Sequence, residues 1–330
     1  MKKINKVLIT TVPFGEKDSK PLDLLDANNI EYLINPLNKK LTEDELIDLV
    51  SEYDVIIAGT EKISDKVMEE ASNLKMISRV GIGLDSVDLL SAERRKIIVS
   101  YTPDAPAPAV IDLTMGLMYS SLRRIHEANI QLHKGNWHRY FGKRLTECSI
   151  GLIGAGRIGS KVIENLLALG CKKILYYDKT VRLKLESNGF VVFTSKEEIY
   201  KKSDIVSLHI PLDVETKNMI SIKELKLMKK DAFLINTARG GIVNEEDLYL
   251  ALEKKLIAGA AIDVFEDEPY SGKLAKHDNC ILTGHMGSMS EDCRTRMEIE
   301  ATEEAVRFLT GKALEGLVPE QEYEVQRQGL

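Results

Sequence analysis

Three side chains in the C-terminal half of the chain combine types that move a proton and hold a carboxylate. His285, in ILTGHMGSMS (281–290), carries a ring that titrates near neutrality and so suits a general acid or base. Glu268, before Pro269 in GAAIDVFEDEP (259–269), would pair with that ring, favouring the imidazolium and fixing its orientation. Arg239, in INTARGGIVNEEDLYLAL (235–252), is a permanent forked cation suited to a carboxylate and an adjacent oxygen together. Such a set fits proton transfer beside a bound carboxylate, and any accompanying hydride transfer needs a separate acceptor. Each has a plainer reading: a strand-end ion pair for Arg239, an ordinary turn acid for Glu268. Gly284 and Gly287 flank His285 and leave backbone able to approach a ligand. His126, His133, His138 and His277 lack that setting and are read as surface or structural residues.

The hydride acceptor has its own signature. IGLIGAGRIG places Gly154-x-Gly156-x-x-Gly159 after an apolar run and at the mouth of a helical pattern. The first glycine makes the tight turn and the second lets backbone approach a pyrophosphate. The third lets helix and strand pack closely, and the helix N-terminus holds the anion. Asp178 follows Gly159 by nineteen residues and ends the next apolar run, close to the roughly 20 expected of an acid on the adenosine ribose. An acid there accepts from a 2′-hydroxyl and repels a 2′-phosphate, so NAD is favoured over NADP. Lys179 and Arg182 downstream are the residues that would oppose this preference.

Positioning these groups requires a parallel sheet. KVLITTV (6–12), EYLIN (31–35), DVIIAG (54–59), KMISRV (75–80) and IIVS (97–100) are continuous apolar runs, as strands covered on both faces should be. Helix starts lie between them: Ser19 before Pro21, and Thr42 with Glu45 as a capping box. YTPDAPAPAV (101–110) interrupts the rhythm, because Pro103, Pro106 and Pro108 exclude continuous helix or central strand. One long amphipathic helix is expected from about 111 to 134. Seven further runs follow: 148–154, 173–178, 190–193, 204–210, 232–236, 256–263 and 280–283. The expectation is two doubly wound α/β domains, one flavodoxin-like (1–102 plus 291–330) and one a Rossmann cofactor domain (103–290). The helix from Ser290 to about Leu309 would pack back on the first. The active site is expected in the cleft between them.

Composition excludes other classes. The 330 residues are 44% hydrophobic with a net charge of −6, which argues for real cores and against a nucleic-acid binder. No apolar run approaches the ~18 residues of a membrane span. The N-terminal MKKINKVLITTVPFGEKDSK reads as a buried first strand rather than a secretory leader. Cys148, Cys171, Cys280 and Cys293 have neither zinc nor disulfide spacing, so no metal is expected and the thiols are read as reduced packing residues of a cytoplasmic protein.

Together with VGIGLDSVD (80–88) and KGNW (134–137), these motifs in this order resemble the D-isomer-specific 2-hydroxyacid dehydrogenase family, nearest its 3-phosphoglycerate branch. The resemblance runs from about residue 50 to 310. It implies an NAD-dependent oxidoreductase in which Arg239, Glu268 and His285 are catalytic. Val80 and Gly81 amides would hold the substrate carboxylate beside Arg239 and His285. Arg157 and Ile158 would cover the pyrophosphate, and Ile210, Thr237, Ala238, Asp263, Gly287 and Ser288 would line the nicotinamide side. It further implies a homodimer through the cofactor domain, no regulatory domain after Leu330, and a substrate that is 3-phosphoglycerate-like or a small 2-oxo acid such as hydroxypyruvate or glyoxylate. Relatives using 3-phosphoglycerate place an arginine in the loop after the third strand. Here that loop offers Lys62 beside Glu61, with Arg139, Lys143 and Arg144 as other cations. Relatives usually carry Pro at the position of Gly284 and a branched residue at Met286. An NAD-sensing corepressor of the same fold is the alternative. A methyltransferase on a similar sheet would leave the three catalytic candidates unexplained.

Overall fold

The computed structural model describes residues 5–187 and 189–328, and the chain divides into two compact units, Met1–Ala107 with Ser288–Leu330, and Pro108–Gly287. Among the described residues twelve strands carry the fold: β1 (Lys6–Ile9), β2 (Glu31–Ile34), β3 (Val55–Ala58), β4 (Met76–Arg79), β5 (Ile98–Tyr101), β6 (Ile150–Ile153), β7 (Ile174–Tyr177), β8 (Val191–Phe193), β9 (Ile205–Leu208), β10 (Phe233–Asn236), β11 (Gly259–Ile262) and β12 (Cys280–Leu282).

In the first unit the order is β2-β1-β3-β4-β5, every pair parallel, the flavodoxin-like arrangement. Its central strands are buried along their length because helices cover both faces. Leu8, Ile56, Ile77 and Val99 face one core, and Val7, Ile9, Val55 and Met76 the other. The helix Glu291–Leu309 supplies Met297, Ala301 and Ala305 to the second of these cores, so the sequence leaves and re-enters this unit. Ser290 caps it through the Cys293 amide.

The second unit has the order β12-β11-β10-β9-β6-β7-β8, again all parallel, with the crossover between β6 and β9. This is a Rossmann sheet with an added seventh strand. The crevice at the carboxyl ends of β6 and β9 is where such sheets bind ligands.

Local expectations fared unevenly. Thr42 and Glu45 do form the capping box. Ser19 does not cap with its side chain; its hydroxyl is hydrogen-bonded to the Asp23 carboxylate instead. The proline segment yields to helix sooner than expected, at Ala107, because Pro108 sits in the first turn where no amide donor is needed. The single helix expected over 111–134 is two, Ala107–Leu122 and Ile125–His133. The break has a cause. The Leu122 carbonyl accepts from the Lys143 amide at 3.0 Å, and Arg124 turns left-handed at φ 51°. The Arg124 guanidinium pairs with Glu127 and lies 4.9 Å above the Tyr140 ring. A last helix, Glu320–Arg327, carries no apolar stripe and was not foreseen.

Candidate active site

The glycine turn is built as its spacing requires. Gly154 adopts φ +97°, and a Cβ there would lie 2.2 Å from the His209 carbonyl oxygen at the end of β9. At Gly159 a Cβ would lie 2.1 Å from the Gly154 carbonyl oxygen, so only glycine lets the helix Arg157–Ala168 start against β6. Gly156 is different: a Cβ there meets nothing within 4 Å, leaving the helix N-terminus open for an approaching phosphate. Arg157 is the first residue of that helix, and Ile158 packs on the core beneath it. Asp178, just past β7, accepts from the Ala155 amide at 2.7 Å and the Thr180 amide at 3.0 Å. A carboxylate has about four acceptor positions, so it anchors the turn and retains capacity for a diol. Lys179 lies 3.1 Å from Glu215 and 3.7 Å from Asp213, turned to that acidic loop, while Arg182 lies 3.7 Å from Asp178 itself. These residues fit a dinucleotide with a free ribose 2′-hydroxyl.

His209 escaped the sequence reading. Desolvation drives its ring pKa down to about 4, so the imidazole is neutral near physiological pH and is hydrogen-bonded to the Ser207 hydroxyl at 2.9 Å. Beside it Ile210 would contact a Cβ at Gly154, 2.8 Å away.

The proton-handling groups come from the ends of β10, β11 and β12. His285 Nδ1 lies 2.8 and 3.0 Å from the two oxygens of Glu268. Glu268 Oε1 also accepts from the Phe265 amide at 3.1 Å, which ties the acid to its own loop. His285 is left-handed at φ 49°, an unusual conformation for a non-glycine residue. Asp263 holds it there. The Asp263 backbone oxygen accepts from the His285 amide at 2.8 Å, and its carboxylate accepts from Met286 N and Gly287 N at 2.9 Å each. The Thr283 hydroxyl adds a fourth contact at 2.6 Å. Asp263, 1% exposed, is thus the organiser of the histidine loop, a role its expected place beside nicotinamide did not suggest.

Arg239 follows β10. The buried Asn236 side chain donates to the Arg239 carbonyl at 2.9 Å and accepts from the Ala238 amide at 3.1 Å, curling the strand end. The guanidinium bonds the Ala238 oxygen at 2.7 Å. Gly240 lets this loop meet the Glu268 loop, since a Cβ would lie 1.9 Å from the Phe265 oxygen. Thr237 is buried and hydrogen-bonded to Thr114 at 2.8 Å. Direct bonds therefore join His285, Glu268, Asp263 and Gly287, and Gly240 joins them to the Arg239 loop.

Val80, Gly81 and Ser288 belong to the other unit. There the two amides expected to hold the substrate carboxylate have partners within the chain. The Val80 amide donates to the Ala58 oxygen at 2.9 Å, extending the β3–β4 ladder, and the Gly81 amide donates to the Thr102 hydroxyl at 2.8 Å. Both donors are spent, so an anion at Gly81 must displace Thr102. Three of the four candidate cations for a phosphate have carboxylate partners. Lys62 bonds Glu43 at 3.3 Å, Lys143 bridges Asp204 and Asp231, and Arg144 bonds Glu147. Glu61 points inward, accepting from Gly59 N and the Thr10 hydroxyl.

Burial pushes the thiols of Cys148 and Cys280 up to about 11 and about 12, as packing residues require. Among the described residues no cluster of metal ligands occurs, and no helix is long and apolar enough to cross a membrane.

Residues 115–287 match the family model for the D-isomer specific 2-hydroxyacid dehydrogenase NAD-binding domain. The chain is 37% identical over 318 residues to a D-3-phosphoglycerate dehydrogenase of Methanocaldococcus jannaschii, an alignment covering 95% of this chain and 59% of that one. It is 36% identical over 299 residues to a hydroxypyruvate reductase of Thermotoga maritima, covering 87% of this chain and 96% of that one. The crystal structure of the TT0316 protein from Thermus thermophilus is similar with a TM-score of 0.87 at 34% identity, covering 95% of this chain and all of that one.

Proposed function

We propose, for a chain that belongs to the D-isomer-specific 2-hydroxyacid dehydrogenase family, that it interconverts a D-2-hydroxy acid and its 2-oxo acid with NAD, using His285 as acid and base. The observation that carries this reading is the double contact of Glu268 with His285 Nδ1, which leaves Nε2 for a substrate oxygen. The Gly154–Gly159 turn and Asp178 would hold NAD, which would supply the hydride acceptor. In the oxidation direction His285 Nε2 takes the hydroxyl proton, and Glu268 stabilises the imidazolium that forms. In reduction the same imidazolium returns the proton to the C2 oxygen. Arg239 binds the carboxylate and polarises the C2 oxygen, which a planar fork does better than an ammonium.

A small unphosphorylated 2-oxo acid, hydroxypyruvate or glyoxylate, is the substrate this reading favours over a 3-phosphoglycerate-like one. Of the four candidate cations for a phosphate, Lys62, Lys143 and Arg144 are paired with carboxylates, and Arg139 is exposed. We place the enzyme in the cytoplasm as a homodimer formed through the cofactor-binding unit. Trp137 and Phe141, 83% and 101% exposed, and Ile125 and Leu132 offer the apolar surface for it.

A panel of 2-oxo acids tested by NADH oxidation decides the matter. Hydroxypyruvate or glyoxylate should exceed 3-phosphohydroxypyruvate at least tenfold in kcat/KM. The opposite ranking moves the substrate to the phosphorylated class, and no turnover with NAD binding intact points to the corepressor-like role.

A further inference from the structure

We propose that Glu245 is a positioning residue for the His285–Glu268 pair, acting through the loop that carries Glu268. Glu245 opens the helix Glu245–Glu253, whose N-cap Asn244 accepts from the Asp247 amide. Its Oε1 accepts from the Glu266 amide at 2.8 Å. The preceding amide, Phe265 N, donates to Glu268 itself. Consecutive amides of one loop are thus divided between two carboxylates, one on the loop and one on the helix. The Phe265 carbonyl abuts Gly240, and the Phe265 ring stacks on Tyr270 at 4.1 Å. The loop is held from three sides, and Glu245 is the side that carries charge.

The charge matters because of what surrounds it. Glu266, Asp267 and Glu268 of the loop, and Tyr270 after it, lie near enough to Glu245 to interact with it electrostatically. On its own helix, Glu246 is bonded to Lys273 through both oxygens, and Asp247 accepts from the Ile222 amide. Partial burial, then the three like charges of the loop, hold the Glu245 carboxyl above the ordinary range. When ionised, Glu245 adds negative potential beside Glu268 and so favours the protonated state of the His285 ring. It does so without touching the ring or any reacting atom.

This inference rests on the proton-transfer role of His285 and Glu268, and its test separates the two. Glu245→Gln keeps an oxygen for the Glu266 amide and removes the charge; Glu245→Ala removes both. The readouts are the His285 titration followed by NMR on the NAD-bound protein, and the pH profile of kcat/KM for NADH-dependent hydroxypyruvate reduction. Glu245→Gln should lower the His285 pKa by about half a unit and move the alkaline limb down equally. Glu245→Ala should shift it as far and also lower the low-pH plateau by about tenfold, because the loop has lost its tether. If Glu268→Gln shifts both readouts and Glu245→Gln shifts neither, Glu245 only packs the loop and the proposal is overturned. If Glu268→Gln shifts neither, the acid–base reading fails first and takes the proposal with it.

Discussion

At the scale of single residues, the candidate site is a set of charged groups whose neighbours were chosen as carefully as the groups themselves. Removing the Glu268 charge should lower the His285 pKa. Reduction begins from the imidazolium, so Glu268→Gln should move the alkaline limb of kcat/KM to lower pH with NADH affinity nearly unchanged. His285→Ala should cost roughly 10²–10⁴ in kcat, the scale of a lost general acid. Asp178→Ala should shrink the NAD-over-NADP ratio in kcat/KM, mainly through KM for NAD, since Lys179 is already paired with Asp213 and Glu215. Gly240→Ala should fold poorly or lose most activity, because its Cβ meets backbone rather than a yielding side chain; thermal unfolding beside kcat measures both. The chemistry-bearing residues were legible because each sits in a motif. Their supports were not. Asp263 and Glu245 act through backbone amides of other segments, and no spacing in one sequence announces which amide a carboxylate will find.

At the scale of elements, the strands were legible and the helix boundaries less so. A strand buried on both faces must be largely apolar, and the central strands β1, β3, β6 and β10 read that way, while the edge strand β2 begins with the exposed Glu31. The break at Arg124 was hidden because it is imposed from outside, by the Lys143 amide on the Leu122 carbonyl. The helix Glu320–Arg327 was hidden for another reason: it buries no residue fully and holds its place by polar contacts. Gln326 does most of this. Its side-chain oxygen accepts from the Leu89 amide at 2.8 Å, an N-terminal donor of the helix Leu89–Arg95. Its nitrogen donates to the Val87 carbonyl at 2.7 Å. Gln326→Ala should therefore raise amide hydrogen exchange over residues 84–91 by about tenfold while leaving β6–β12 unchanged. Equal exchange in both proteins would show that the apolar contact of Tyr323, not Gln326, seats the helix.

At the scale of the whole molecule, a net charge of −6 is small enough that acid sensitivity comes from particular groups rather than from overall repulsion. His209 is one such group. Its folded pKa of about 4 lies below the ordinary 6.5, so the unfolded chain takes up a proton that the folded chain refuses. Its contribution is complete above about pH 6.5 and is lost as the pH falls towards 4, by up to about 3 kcal/mol. Urea midpoints at pH 7 and pH 4.5 should fall less for His209→Gln than for the wild type. The Asp263 knot has a consequence on a longer timescale. Because amides 285, 286 and 287 are all consumed by one buried residue, the path of the chain there owes nothing to the side chain at 286, which is 45% exposed, nor to Gly284, where a Cβ meets open space. Heredity can rewrite these two letters without disturbing the reagent next to them. A library randomised at 284 and 286 should scatter in which oxo acid it prefers yet share one pH profile, and it is there that new specificities are best sought.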